Sequence, residues 1–309
     1  MEFKHYSVML NEAVEGLAIR PDGIYADGTV GGAGHSREIA SRLDPEKGRL
    51  ICLDRDPEAV KTARERLEGL PATVVCANYS EIRRVLAELD IGGLDGMLLD
   101  LGVSSYQLDN AERGFSYRSD APLDMRMSGE GLSARDIVNT WSYEDLSKII
   151  FEYGEEKFAR SIASAIVRER ERAPIETTFQ LSAIISASMP QKAKRTKNPS
   201  KKTFQAIRIA VNDELGHLDR ALDEAFDCLN IGGRLAIITF HSLEDRLVKQ
   251  RFQSFCTGCT CPPDFPVCVC GKTPRGRLVT RKPIEPSEQE LAENRRSHSA
   301  KLRLIEKIK

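Results

Sequence analysis

Apolar runs and amphipathic stretches alternate over the N-terminal third of the chain. Each apolar run ends in a polar residue or a cysteine, and between the runs apolar residues recur every three or four positions. This alternation predicts a parallel sheet with helices on both faces. The predicted strands are 24–27, 49–54, 72–76 and 96–100, and the predicted helices are 35–43, 57–67 and 80–89.

The alternation stops after the fourth predicted strand. Between about residues 116 and 202 the pattern indicates helices alone, at 133–140, 143–153, 155–172 and 179–188. Helices inside an α/β pattern are typical of an insertion. We therefore expect an inserted all-helical domain at 116–202 within an α/β sheet domain formed by 1–115 and 203–309.

The sheet pattern resumes behind the insertion. Apolar residues at three- and four-residue spacings predict one long helix over 204–229. Gly232 and Gly233 then predict a turn before a strand over 234–240. Two further extended segments, 277–282 and 301–308, predict a closing hairpin.

Composition and charge narrow the class of protein. The chain has 309 residues, of which 41% are hydrophobic, and a formal net charge of -1, so contact with nucleic acid would depend on local basic patches. No apolar run approaches the roughly 20 residues that a membrane span requires. The N-terminus also lacks an uninterrupted apolar signal segment. We expect a soluble, cytoplasmic protein that does not contact membranes.

A glycine-rich turn directly follows the first predicted strand. Asp27 ends the strand, and four glycines precede a helix expected to begin near His35. Such a turn brings backbone close to a nucleotide-like ligand. A dinucleotide-binding turn that begins at Gly32 needs its third glycine at position 37, where this chain has Arg37. The pattern therefore does not favour a nicotinamide cofactor.

The acids at the strand ends favour a cationic ligand. Asp27 would repel a pyrophosphate but attract an amino group, and Asp54, at the next strand end, can accept hydrogen bonds from two ribose hydroxyls. S-adenosylmethionine meets both conditions. Tyr79 either covers the adenine or packs on the core as an aromatic residue at a helix entry, and the carboxamide of Gln107 can hydrogen-bond to the cofactor.

Eight segments of the chain together resemble the bacterial family of small-subunit ribosomal RNA cytosine-N4 methyltransferases. Matches run from His5 to the C-terminal tail, so the resemblance covers nearly the whole chain. The chain departs from the family pattern at Tyr79, where Phe is more frequent, and at 197–204, which lacks the usual His and Arg. The eight segments are 27–36, 53–57, 100–109, 113–117, 122–127, 203–209, 240–246 and 296–303.

The resemblance implies a class I, Rossmann-like methyltransferase fold with an inserted all-helical domain. It also implies methyl transfer from S-adenosylmethionine to the exocyclic N4 of the cytidine at position 1402 of 16S rRNA, in the small ribosomal subunit. By motif match, Ala33, Gly34 and His35 would hold the methionine end of the cofactor. The complete predicted cofactor set is Asp27, Gly32, Ala33, Gly34, His35, Asp54, Tyr79, Asp100 and Gln107.

The residues behind the strands are compatible with methylation of an amino group. Methylation of a pyrimidine at C5 requires a cysteine nucleophile, and no cysteine follows the fourth or fifth predicted strand. An exocyclic amino group instead needs an acceptor for its departing proton. We predict Asp100 as the catalytic residue, alongside the carbonyls of 101–103, with Asp109, His241 and Glu244 as further candidates. His241 is equally well explained as a strand-end histidine bonded to backbone.

Two basic runs and one cysteine cluster complete the candidate chemistry. Residues 192–202 contain six cations and residues 272–282 contain five, in both cases without an acid. These runs are either solvated loops or a phosphate-binding rim for RNA, and the first lies in the insertion.

Five of the eight cysteines lie within 256–270. They predict a structural zinc site, free thiols or a disulfide. The predicted zinc ligands are Cys256, Cys259, Cys268 and Cys270.

Two other functions compete with an RNA methyltransferase. A nicotinamide-dependent oxidoreductase would use a related fold, although Asp27 and Arg37 argue against it. A non-enzymatic RNA-binding protein would keep only a vestigial cofactor pocket and bind through the cysteine cluster and the basic runs.

Overall fold

The computed structural model describes residues 7–191, 198–259, 261 and 270–309. Its contacts divide the chain into two compact units. The sheet unit comprises Met1–Gly102 and Gly216–Lys309, and the helical unit comprises Val103–Leu215. The second unit begins before the segment 116–202 that the sequence pattern assigns to the insertion and ends after it.

A seven-stranded sheet organises the first unit. The strands follow the order β3-β2-β1-β4-β5-β7-β6, and β7 runs antiparallel between β5 and β6 while the other neighbours are parallel. The predicted parallel α/β sheet is therefore confirmed. The strands are β1 Ile24–Asp27, β2 Arg49–Asp54, β3 Ala72–Cys76, β4 Leu94–Asp100, β5 Leu229–Thr239, β6 Gly276–Leu278 and β7 Lys301–Lys307.

Helices surround the sheet and make up the second unit. Within the part of the chain described above, no helix is both long and apolar enough to cross a bilayer. The helices are α1 Leu10–Gly16, α2 Gly34–Ser41, α3 Pro57–Arg66, α4 Ile82–Glu88, α5 Ser105–Asp109, α6 Ala134–Thr140, α7 Tyr143–Glu152, α8 Ala159–Arg170, α9 Thr178–Ser188, α10 Ser200–Asn212, α11 Glu214–Asp227, α12 Ser242–Cys256 and α13 Glu288–Glu293.

Both faces of the central strands are buried, which explains why these strands are nearly all apolar. Ile51 and Leu53 of β2 pack into one hydrophobic cluster, while Leu50 and Cys52 pack into a second cluster on the opposite face. Successive side chains of a strand point to opposite faces, so a strand covered on both sides has no solvent-facing positions to fill with polar residues. The polar residues are consequently confined to the strand ends.

Two features predicted directly behind the insertion, a single long helix and a turn, differ from the structure. The predicted long helix over 204–229 is two helices, α10 and α11, because Asp213 between them adopts a left-handed conformation with φ 44°. The predicted turn at Gly232 and Gly233 lies instead inside β5, which begins at Leu229. Gly232 has φ 84° and stands where the pairing of β5 with β4 shifts register, so glycine serves a strand irregularity here.

The helical unit has a hydrophobic core of its own. Leu146 and Ile150 of α7 are fully buried, as are Ile162 and Ile166 of α8, and all four belong to one cluster. Spacings of four residues place each pair on a single helix face. Among the residues described for this unit, β structure is limited to a single bridge between Pro122 and Thr177.

Candidate active site

Three carboxylates end three neighbouring strands at one edge of the sheet. Asp27 ends β1, and Asp54 and Asp100 end β2 and β4, which flank β1 on either side. The chain connects β1 to β2 on one side and reaches β4 on the other, so the strand order reverses at this point. In open α/β sheets this is where ligands bind.

The turn after β1 is fastened to both neighbouring strands. The Gly31 amide donates to Asp54 Oδ2 at 2.9 Å, and the Val30 amide donates to the Leu53 carbonyl at 2.9 Å. On the other side, the Asp100 amide donates to Thr29 Oγ1 at 2.6 Å. These bonds satisfy the backbone amides of the turn and fix its position between β2 and β4.

The N-terminal segment approaches Gly34 closely. A Cβ at Gly34 would lie 1.9 Å from Ser7 Oγ, far inside contact distance. Gly34 is the first residue of α2, and Ala33 before it has φ 59°, a left-handed conformation that is strained for alanine. The bend into α2 is therefore tight and side-chain-poor, as the sequence predicts.

Asp27 is buried and supports the turn from within. Its Oδ2 accepts a hydrogen bond from Ser36 Oγ at 2.6 Å, and its Oδ1 accepts one from the Thr29 amide at 3.1 Å. Burial raises the pKa of Asp27, and the neighbouring His35 opposes that rise. Asp27 is only 1% exposed. Its direct contact with the cofactor stays a prediction.

Asp54 holds the turn while standing at the end of β2. Besides the Gly31 amide, its carboxylate accepts a bond from the Asp56 amide at 2.9 Å. Burial raises the pKa of Asp54 to about 6, against the lowering effect of these two bonds. A carboxylate offers about four acceptor sites, so two backbone bonds leave capacity for ribose hydroxyls.

Asp100 carries the unsatisfied oxygen of this edge. Its Oδ1 is buried and has no hydrogen-bond partner among the described residues, while Oδ2 lies 3.7 Å from His35 Nδ1. Burial raises the pKa of Asp100 well above its usual value, and the charges of Asp27, Glu244 and Glu290 add to the rise. This concentration of carboxylates favours a cationic ligand.

His35 joins the turn to the N-terminal segment. Its ring is 5% exposed, and Nε2 lies 3.0 Å from the carbonyl oxygen of Val8. Its Nδ1 faces the Asp100 carboxylate, 3.7 Å from Oδ2. Gly32, three positions earlier, accepts a bond at its carbonyl from Arg66 of α3 at 2.7 Å.

Tyr79 and Gln107 both stand at helix entries. Tyr79 begins a short 3-10 helix capped by Asn78, and it is half-buried against the core of the sheet unit. This is the position of an aromatic residue packing on the core; contact with adenine stays a prediction. Gln107, in the helical unit, forms a capping box with Ser104 at the start of α5. Its role at the cofactor also stays a prediction from the resemblance.

His241 and Glu244 form a helix cap. His241 Nδ1 accepts a bond from the Glu244 amide at 3.4 Å, and Glu244 Oε2 accepts one from the Phe240 amide at 2.8 Å. His241 Nε2 lies 3.1 Å from Glu244 Oε1. The structure therefore supports the reading of His241 as a strand-end histidine bonded to backbone. Asp109 is the last residue of α5 in the helical unit.

Sequence reasoning did not assign roles to Thr29 and Ser36. Both hydroxyls anchor the turn, one to the Asp100 amide and the other to Asp27. A signal was present, because a buried carboxylate needs donors and these side chains stand two and nine positions after Asp27. Val8, whose carbonyl contacts His35, lies in a segment without a comparable sequence signal.

The structure groups the thiols of the described cysteine residues differently from the predicted zinc set. The sulfur atoms of Cys259, Cys261 and Cys270 lie within 4.8 Å of one another. Cys256, at the end of α12, packs instead against the hydrophobic core of the sheet unit. Cys268 lies outside the described residues.

Several described cations of the two basic runs are engaged in contacts within the protein. In the second run, Arg275 pairs with Asp227 at 2.9 Å and Arg277 pairs with Glu306 at 2.8 Å. The cations of this run that are exposed and make no ion pair within the described ranges are Lys272, Arg281 and Lys282. In the first run, 192–197 lies outside the described residues. Its Lys201 is exposed, whereas Lys202 Nζ donates to the Glu155 carbonyl at 2.5 Å.

Strand order and site together define the class of protein. A seven-stranded sheet with one antiparallel strand, a glycine-rich turn behind β1 and an acid at the end of β2 are the features of a class I methyltransferase that uses S-adenosylmethionine. Residues 2–308 match the MraW methylase family. The chain belongs to this family, and it is therefore a methyltransferase rather than an oxidoreductase or a non-enzymatic binding protein.

Relatives of similar length support the assignment. A protein of Agathobacter rectalis named ribosomal RNA small subunit methyltransferase H 2 is 59% identical over 99% of both chains. Proteins named ribosomal RNA small subunit methyltransferase H from Lachnospira eligens and Brevibacillus brevis are 55% and 54% identical, each over 100% of this chain and 99% of the relative.

Proposed function

We propose that this protein methylates the exocyclic N4 of the cytidine at position 1402 of 16S rRNA, in the small ribosomal subunit. The names of relatives more than half identical over the whole chain carry this proposal. The absence of a cysteine directly after β4 or β5 agrees with it, since methylation at the C5 carbon needs such a nucleophile. Because ribosomal subunits are cytoplasmic, the proposal also places the protein in the cytoplasm.

The strand-end residues fit S-adenosylmethionine. When bound, this cofactor supplies an electrophilic methyl group on a positively charged sulfur. Asp100 Oδ1 is a buried acceptor with no donor among the described residues; burial raises the pKa of Asp100, and the carboxylates around it add to the rise. A cation at this place relieves their mutual repulsion. In this proposal Ala33, Gly34 and His35 hold the methionine end, Asp54 holds the ribose, Tyr79 lies near the adenine and Asp100 completes the pocket.

Asp100 is the proposed proton acceptor. The amino nitrogen of cytosine must release a proton once its lone pair bonds to the methyl carbon and the carbon–sulfur bond breaks, its electrons remaining on sulfur. An acceptor acts best when its pKa lies near the working pH, and burial moves the pKa of Asp100 in that direction. His35 Nδ1 is the neighbouring ring nitrogen, 3.7 Å from Oδ2.

The helical unit is the proposed RNA-binding part. Lys201 is exposed near the start of α10, and the sheet unit adds the exposed Lys272, Arg281 and Lys282. Neutralisation of phosphates by such side chains supplies most of the affinity for RNA and makes it sensitive to salt.

Methyl transfer to small subunits from a strain lacking this activity tests the proposal. Nucleoside mass spectrometry should detect N4-methylcytidine after incubation with S-adenosylmethionine, and parallel reactions with free 16S rRNA identify the preferred substrate. Methylation at C5, or no methylated cytidine with either substrate, would contradict the proposal. Asp22→Asn, a change at an exposed acid, is the control and should leave the product unchanged.

The RNA interface is tested by replacing Lys201 and Lys202 with glutamate. The double variant should bind RNA several-fold more weakly, with a shallower salt dependence, while its affinity for S-adenosylhomocysteine stays unchanged. Unchanged RNA affinity would remove this part of α10 from the interface.

A further inference from the structure

Three cysteine thiols converge on a loop that the methyl transfer does not use. The sulfur atoms of Cys259, Cys261 and Cys270 lie within 4.8 Å of one another, and the Cys259 and Cys270 sulfurs are 3.7 Å apart. None of the three forms a disulfide. A disulfide would hold two sulfurs at about 2.05 Å.

The sulfur separation fits a shared metal ion. Zinc binds thiolates at about 2.3 Å in a tetrahedron, and this geometry separates two sulfur ligands by about 3.8 Å. The distance between Cys259 and Cys270 matches that edge. Three soft sulfur donors without a carboxylate in the group favour zinc over hard cations such as magnesium.

A backbone hydrogen bond supports the thiolate form of one ligand. The Cys261 amide donates to Cys259 Sγ at 3.4 Å. Hydrogen bonds to a charged group stabilise that charged form, and backbone donors around a metal ligand fix its orientation. The short spacing between Cys259 and Cys261 thus brings their two sulfur atoms and the Cys261 amide together in one bend.

Contacts on either side of the thiols close the base of this loop. The Arg275 amide donates to the Phe255 carbonyl at 2.8 Å, which joins the chain just before the thiols to the chain just after them. Phe255 stacks on Phe226 with ring centroids 4.1 Å apart, and the Arg275 guanidinium lies over both rings. An ion bound by the thiols would close the loop a second time.

We infer that Cys259, Cys261 and Cys270 bind a structural zinc ion. Binding converts three thiols to thiolates and releases three protons to solvent, with no change of oxidation state. A fourth ligand outside this group completes the tetrahedron. The inference rests on the thiol geometry and is independent of the proposed RNA substrate.

Metal analysis of the full chain, purified without chelators, tests the inference. We expect about one equivalent of zinc per chain. Cys259→Ser, Cys261→Ser and Cys270→Ser should each lower the zinc content at least several-fold. Cys76→Ser, which removes an exposed thiol on β3, is the matched control and should retain the metal.

A measurement on the unaltered protein covers the case in which a serine variant does not fold. Chelation should lower the melting temperature, and added zinc, but not magnesium, should restore it. Cobalt in place of zinc should show thiolate-to-metal charge-transfer absorption. Less than half an equivalent of zinc, equal zinc content in Cys259→Ser, or a disulfide among these cysteines would overturn the inference. Methyl transfer is assayed separately, so its failure would not be mistaken for loss of the ion.

Discussion

The glycine-rich turn and the cysteine loop are both short connections that gather chemical groups, yet they are held in different ways. The turn is held by Asp27, Asp54 and Thr29, each of which accepts a hydrogen bond from a backbone amide. In the loop, the sulfur atoms of three cysteines lie within 4.8 Å of one another. Hydrogen bonds of the protein thus shape the first site, whereas a bound ion is proposed to join the sulfur atoms of the second.

Replacement of Asp100 by asparagine should have the largest effect. The amide keeps the size of the side chain but accepts no proton, so we expect methyl transfer to fall by about 10²–10⁴-fold. Single-turnover rates with small subunits measure the change. Affinity for S-adenosylhomocysteine, measured calorimetrically, should change far less, and a variant that keeps full activity would exclude Asp100 as the acceptor.

Gly34→Ala should strain the turn. Its Cβ would lie 1.9 Å from Ser7 Oγ and 3.2 Å from Ser7 Cβ, so the hydroxyl has to rotate away, and overpacking of this kind costs about 1 kcal/mol of unfolding free energy. Denaturant unfolding measures the loss. Gly92→Ala meets nothing within 4 Å and should stay within about 0.5 kcal/mol of the parent protein.

A second change should reverse the first. Ser7→Gly removes the clashing side chain, so the double variant with Gly34→Ala should recover most of the lost stability. If the double variant is no more stable than Gly34→Ala alone, the close approach of Ser7 is not the reason for glycine at this position.

Cofactor affinity should depend on pH through Asp54. Its pKa of about 6 means that the carboxyl is ionised at pH 7.5 and largely protonated at pH 5. Ribose hydroxyls donate to the ionised form, so affinity for S-adenosylhomocysteine should fall about tenfold as pH drops across this interval. Calorimetry of Asp54→Asn at the same pH values should give a smaller change, and an identical profile would assign the dependence to another group.

Removal of zinc should have the smallest effect and should separate the two regions. We expect the melting temperature to fall by about 2–4 °C, which corresponds to roughly 1 kcal/mol for a protein of this size class. Affinity for S-adenosylhomocysteine, by contrast, should stay constant, because protein contacts alone hold the turn. A chelator that weakened cofactor binding would show that the two regions are coupled.

The strands beside the site were predictable because their polar residues are confined to their ends. Asp27 and Asp54 terminate apolar runs, and the predicted bounds of β1, β2 and β3 coincide with those in the structure. Local patterns suffice here because a strand buried on both faces admits few polar side chains. The break at Asp213 escaped prediction, since the apolar spacing continues across it while the backbone turns left-handed.

The hydrogen bonds that hold the site together were less predictable than its position in the fold. Ser36 and Thr29 act through hydrogen bonds to Asp27 and the Asp100 amide, and such pairings depend on packing rather than on spacing. For the cysteines, spacing alone favoured Cys256 as a ligand. Cys256 packs against the core, which depends on tertiary structure and not on spacing. Cys261 is the third thiol of the group instead.

The central strand β4 pairs with β5, yet the chain between them, residues 101–228, includes the whole helical unit. During synthesis β4 therefore emerges long before the strand that covers its second edge. At bacterial elongation rates of about 5–20 residues per second, that edge stays unpaired for about 6–25 s. The helical unit can fold during this delay. Throughout the same interval the exposed edge of β4 needs protection from pairing with strands of other chains.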